Sequence, residues 1–216
     1  ELGQTGELAA AMVRSFEAVI GEGRPAGPEP LEAVVVAASG CGHTLKHYGT
    51  LLADDAAGGH GFASRVEDLQ EFLDRVGLSA SFQARLQPLR HPDGTAASEE
   101  RPLRLAYHDA CHMLHGQGLS REPRSLLRRI PHLRLVEATE AGVCCGSAGI
   151  YNLVQPEEAA ALGRIKADDL SGTGADLAVS ANIGCTLQIR RHMAESPRPI
   201  PVLHPAQVLL RSFEGG

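Results

Sequence analysis

Cys144 and Cys145 are adjacent, and the chain continues through Gly146-Ser147-Ala148-Gly149-Ile150-Tyr151-Asn152. A disulfide between neighbouring cysteines would close a small, strained ring, so the pair is not read as a structural staple. As thiolates the two sulfurs offer soft ligands from one tight turn, and soft sulfur selects iron–sulfur clusters, zinc or cuprous ion. Cys111 precedes the pair and Cys185 follows it. Four cysteines from three separated loops suffice for one metal site. The competing reading is that these thiols are small buried hydrophobes, as free cysteines often are.

Histidines and an aspartate crowd Cys111: His108, Asp109, His112 and His115. A carboxylate between histidines suits metal binding or proton transfer. It equally suits Asp109 as a helix cap with the histidines in a polar turn. His115 fits the second reading, and for His108 and His112 both stay open. His43 and His47 lie one helical turn apart beside Cys41, at or behind the surface of any site. Asp54 and Asp55 read as a solvated helix end. Structural zinc usually draws its ligands in close pairs. Here the residue that would complete such a pair after Cys185 is Gln188, which disfavours a zinc ribbon and a thioredoxin-type pair alike.

These cysteines need elements to bring them together. Leu8, Met12, Phe16 and Val19 mark one face of a helix from about Gly6 to Ile20, and a Gly/Pro-rich loop is expected over Gly21–Pro30. Val34-Val35-Val36 reads as a strand buried on both faces, turning at Ser39-Gly40-Cys41-Gly42-His43 into a helix with Leu45, Tyr48, Leu51 and Leu52. Helical patterns cover about Phe62–Val76 and Ser79–Leu89, and residues 91–102 are polar enough for a linker. Strands are expected at Leu103–Tyr107, His132–Val136, Asp176–Ser180 and Pro201–Leu203. Helices alternate with them at Arg121–Ile130, Pro156–Leu170, after Cys185, and at Pro205–Phe213. This alternation implies βαβ units and mostly parallel sheets in an α/β protein. Open parallel sheets bind ligands at the carboxyl ends of their strands, where Cys111, Cys144, Cys145 and Cys185 all fall. Gly146 and Gly184 let the backbone approach such a ligand.

A weak internal repeat sets Val34–Leu45 against Leu177–Gln188. Each has a strand, a small-residue turn with Gly-Cys, and a helix, so that Cys41 is the counterpart of Cys185. The chain has 216 residues, 43% hydrophobic and 21% charged, as in an ordinary globular protein. Its net charge of −6, with no basic run, argues against nucleic acid as a partner. No apolar run approaches a membrane span, and no signal peptide is expected. Five cysteines fit a reducing compartment with thiols kept for metal or redox work.

Four stretches together resemble the CCG (cysteine-rich) family, to which a heterodisulfide reductase subunit also belongs. They are Ala38-Ser39-Gly40-Cys41-Gly42, Tyr107-His108-Asp109-Ala110-Cys111-His112, Val143–Asn152 and Asn182-Ile183-Gly184-Cys185-Thr186-Leu187-Gln188-Ile189. Within the family they are most similar to the carboxy-terminal half of glycolate oxidase iron–sulfur subunits, and lactate-utilisation proteins share much of the pattern. The resemblance implies two pseudo-symmetric α/β lobes, at 1–90 and 103–216, the first truncated. It implies an iron–sulfur cluster, expected as 4Fe–4S rather than zinc, on Cys111, Cys144, Cys145 and Cys185, with Cys41, His108, His112, Gly146 and Gly184 around it. It further implies flavin-containing partner subunits of a glycolate dehydrogenase. Quinone or membrane contact would come only through that complex, at the inner face of the cell membrane. A thiol/disulfide-reducing subunit and a zinc-stapled assembly domain are the alternatives.

Overall fold

The computed structural model describes residues 2–22, 32–52 and 58–215. The expected loop after the first helix and Asp54 and Asp55 fall largely or wholly outside them. The first unit comprises helix α1 (Leu2–Glu22), strand β1 (Val34–Val36), helices α2 (Ser39–Lys46), α3 (Tyr48–Leu51) and α4 (Gly59–Ala63), strand β2 (Val66–Asp68), and helices α5 (Leu69–Val76) and α6 (Ala80–Gln83). The buried stripe of α1 is Ala9 and Val13, with Phe16 partly buried, whereas Leu8 and Met12 face outward at 73% and 50% exposure. The face is thus turned from the one expected, because the small Ala9 lets α1 approach Tyr48, Leu52 and Phe62. The side chain of Val19 lies outside the described residues.

Two further expectations fail in this unit. The helix expected from Phe62 to Val76 is interrupted by β2, which pairs in parallel with β1, Val34 against Val66. Asp68 ends that strand and opens α5 through a capping box with Glu71, so the chain switches geometry at a cap rather than continuing one helix. Nor is β1 buried on both faces, since Val35 is 42% exposed.

The second unit runs β3 (Leu103–His108), α7 (Cys111–Gln117), α8 (Arg121–Leu127), β4 (Leu133–Glu137), α9 (Tyr151–Val154), α10 (Pro156–Gly172), β5 (Leu177–Ser180), α11 (Ile183–Met193), β6 (Val202–Leu203) and α12 (Pro205–Glu214). Its sheet has the order β4-β3-β5-β6, all parallel. Side chains alternate along a strand, and two cores result. Leu103, Leu105, Tyr107, Leu177 and Val179 fill one face, while Ala106 and Ala178 join Cys145, Cys185, Leu170 and Ile189 on the other. The small residues on that second face leave room for the cysteine loops.

The units are joined by polar contacts as well as packing. Ser39 N–H donates to the Ala181 carbonyl at 3.2 Å, Gly40 N–H to Asn182 Oδ1 at 3.4 Å, and Gln117 Nε2 to the Ser39 carbonyl at 2.8 Å. Leu73 and Leu78 pack against the second unit's core.

Candidate metal centre

Three neighbouring strand ends build the site. Cys111 is the first residue of α7, just past β3. Cys185 is the third residue of α11, just past β5. Cys144 and Cys145 lie in the segment between β4 and α9. Because β3 sits between β4 and β5 in the sheet, the topology delivers these four thiols to one place from three distant stretches. None of the five cysteines forms a disulfide.

The loop bearing the pair is fastened at both ends. Asp169 on α10 accepts from the Thr139 and Glu140 amides at 2.9 and 3.0 Å, and Lys166 donates to the Glu140 carbonyl. Beyond the pair, Gly146 takes φ 83°, and a Cβ there would collide with the Ala159 carbonyl of α10. Only glycine meets both demands. A Cβ on Gly184 would lie 2.7 Å from Ser147 Oγ, so the first turn of α11 also presses on this loop.

The thiols interact in a row: Cys111 with Cys144, Cys144 with Cys145, and Cys145 with Cys185. Gly146 N–H donates to Cys144 Sγ at 3.4 Å, and Asn182 Nδ2 donates to Cys185 Sγ at 3.3 Å. The thiols of Cys111 and Cys145 hold Cys144 well below the ordinary thiol value. Cys185 is lowered to about 5, first by Cys145 and further by His108 and Asn182. The same contacts with Cys144, together with burial, push Cys111 and Cys145 up. The row therefore carries thiolate character at Cys144 and Cys185, the form that binds soft metals.

His108 lies buried against the thiols. It is 1% exposed, and one ring nitrogen stands within 4.8 Å of the Cys145 and Cys185 sulfurs, a contact that helps lower the Cys185 thiol. An imidazole buried against two thiols fits a site that takes a soft metal centre. His112 Nδ1 is 3.5 Å from Cys111 Sγ, and its ring contacts His43, which in turn contacts His47. A cleft of about 530 Å³ opens over the thiols, lined by Cys111, Cys185, His112, Gly184 and, from the first unit, Cys41 and Gly40. Cys41 is exposed; among the described residues the close group of metal-ligating side chains here is His108, Cys145 and Cys185, and Cys111, Cys144 and Cys41 lie outside it.

Asp109 is not a helix cap. The α7 cap is Ala110, and Asp109 instead receives both terminal nitrogens of Arg124 at 2.8 and 2.7 Å. Arg124 also reaches Glu137 at the end of β4 and lies 4.6 Å over the Tyr107 ring. This bidentate bridge ties the Cys111 turn to the strand that feeds the Cys144 loop. Arg124, Lys166 and Asp169 are site residues that no sequence motif marks, and Asn182 lies in the Cys185 stretch without a role assigned to it there. Lys166 does leave a trace: it falls on the buried stripe Ala159, Gly163, Lys166, Ala167, Leu170 of α10, where a lysine is out of place.

Residues 105–190, which span all four clustered cysteines, match the family described as the CCG cysteine-rich domain. The segment 105–190 belongs to that family. It is 34% identical over 184 residues to the probable glycolate oxidase iron–sulfur subunit of Bacillus subtilis (strain 168), covering 85% of this chain and 37% of that protein. To the glycolate oxidase iron–sulfur subunit of Escherichia coli (strain K12) it is 31% identical over 191 residues, 88% of this chain and 42% of that protein. To a fumarate reductase (CoM/CoB) subunit of Methanothermobacter marburgensis it is 32% identical over 167 residues, 75% of this chain and 28% of that protein. Lactate utilization proteins also match. The chain thus spans less than half the length of those first three relatives. Among the described residues no helix is long and apolar enough to cross a membrane.

Proposed function

We propose that this chain is the cluster-bearing part of an iron–sulfur electron-transfer subunit in a glycolate-oxidising complex. Its second lobe, residues 103–216, would hold one cluster of the 4Fe–4S type on Cys111, Cys144, Cys145 and Cys185. The observation that carries this is the single row of thiols at three adjacent strand ends, with the buried His108 against Cys145 and Cys185. When bound, such a centre supplies one-electron redox chemistry. The chain's own residues do the rest: Asn182 and the Gly146 amide donate to ligand sulfurs, Arg124 holds two of the three strand ends together, and the buried sheet face keeps water from Cys145 and Cys185. Similarity to glycolate oxidase iron–sulfur subunits supports glycolate as the complex's substrate. In that complex a flavin subunit oxidises glycolate, and electrons pass through this chain toward quinone on the cytoplasmic face of the membrane.

The test is anaerobic purification with iron and acid-labile sulfide analysis. A 4Fe–4S centre gives equal iron and sulfide with broad visible absorption, whereas a zinc staple gives neither. Within the complex, quinone reduction driven by glycolate but not by lactate supports the assignment, and the reverse preference moves it to lactate. A second reading, thiol or disulfide reduction at the cluster, is favoured by the exposed Cys41 on the same cleft. Disulfide-dependent turnover distinguishes it.

A further inference from the structure

Lys166 is 0% exposed, a state that lysine rarely occupies without a partner. Its ammonium has two: the carbonyl of Glu140 and the carboxylate of Asp169, at 3.8 Å. Burial lowers its pKa, opposed by the negative charges of Asp169 and Cys145. Neighbouring Ala167 belongs to the same apolar core as Cys145 and Cys185. A buried cation beneath a thiolate site is expensive to desolvate, and a structural clamp on Glu140 needs only a neutral donor.

We infer that Lys166 is an electrostatic positioning residue whose buried charge offsets the negative charge gathered at Cys111, Cys144, Cys145 and Cys185 and sets the ease of reducing the centre they hold. The inference rests on the iron–sulfur reading of those thiols. Reduction adds one electron and one negative charge at the site, and a fixed buried ammonium favours that added charge. Asp169 partly cancels it, so the lysine and the aspartate act in opposite directions on the same equilibrium. They act in the same direction on loop structure, since Lys166 anchors Glu140 and Asp169 anchors Thr139 and Glu140. Opposite signs therefore separate an electrostatic role from a structural one.

The experiment is redox titration, followed by electron paramagnetic resonance, of the wild-type chain and of Lys166→Met and Asp169→Asn, each at measured iron and sulfide content. Lys166→Met should make reduction harder by about tenfold in the equilibrium constant, which is about 59 mV for a one-electron couple. Asp169→Asn should shift it the other way, by a smaller amount because Asp169 is closer to solvent. Loaded variants that shift in the same direction, or not at all, overturn the inference and leave Lys166 as a clamp. Should Lys166→Met lose its centre, Asp169→Asn decides alone: an upward shift supports the inference, and an unchanged potential defeats it. A wild-type chain that takes up zinc but no iron and sulfide defeats the iron–sulfur reading itself, and the inference with it.

Discussion

Two strand–turn–helix units of this chain carry a cysteine as the third residue of the helix: β1–α2 with Cys41 and β5–α11 with Cys185. Their caps match, Ala38 at φ −135°, ψ 105° and Asn182 at φ −129°, ψ 123°. The caps place the two cysteines in register, one residue away from the alignment that sequence alone suggested. Locally the units are alike, and their surroundings differ. Beside β5 lies β3, whose end carries His108 and Cys111, and beyond it β4, whose end feeds the double cysteine. Among the described residues β1 has one neighbour, β2, whose end is Asp68, committed to capping α5. A cysteine at a helix start becomes part of a thiol site only when neighbouring strand ends bring further soft donors. The local motif does not create the site.

The comparison is broken most directly by serine substitution. Cys145→Ser should abolish iron incorporation and loosen the segment from about Gly142 to Asn152, because ligand binding and loop order are coupled. The sheet core should persist, since its strands pack without the metal. Cys41→Ser should leave iron content unchanged. Equal loss of iron in the two variants would mean that both units contribute to one centre.

The strand end beside Cys41 should reveal itself through pH rather than metal. Burial raises the Asp68 carboxyl to about 6, above the value near 3.9 of an unfolded chain. The folded state therefore binds the proton more tightly. The stabilisation that this proton confers is complete below about pH 4 and is lost as pH rises through about 6, in total about 2–3 kcal/mol. Denaturant unfolding across that window should show the slope in the wild-type chain and a flatter profile in Asp68→Asn. An unchanged slope would assign the titration elsewhere.

The smallest effect separates two glycines in equivalent helix positions. Gly184→Ala forces a Cβ to 2.7 Å from the buried Ser147 Oγ, whereas Gly40→Ala places one at an ordinary 3.4 Å from Asn182 Oδ1. Gly184→Ala should cost about 1–2 kcal/mol and lower iron content. Gly40→Ala should stay within about 0.5 kcal/mol, because alanine's better helix propensity offsets the contact. Urea melts of the two variants rank them, and a larger loss at Gly40 would show that the contact between the units is the tighter one.

The amino-acid sequence by itself determined the parallel α/β class and all four strands of the larger sheet to within a residue or two. Short apolar strands, small-residue turns and a double cysteine before glycine are local signals, and local signals survive in a linear string. It misplaced what depends on partners. β2 was hidden because Val66-Glu67-Asp68 is too short to show a period, and only pairing with β1 makes it a strand. The buried face of α1 was set by the helices it meets rather than by its largest residues. Asp109 could not be told from a cap until Arg124, fifteen residues away, was found across from it. Lys166 could not be tied to the site until α10 lay beneath the loop. Which strand lies beside which, and so which charges and thiols meet, is a matter of sheet order, and sheet order is decided by long-range burial of apolar faces that no single stretch encodes.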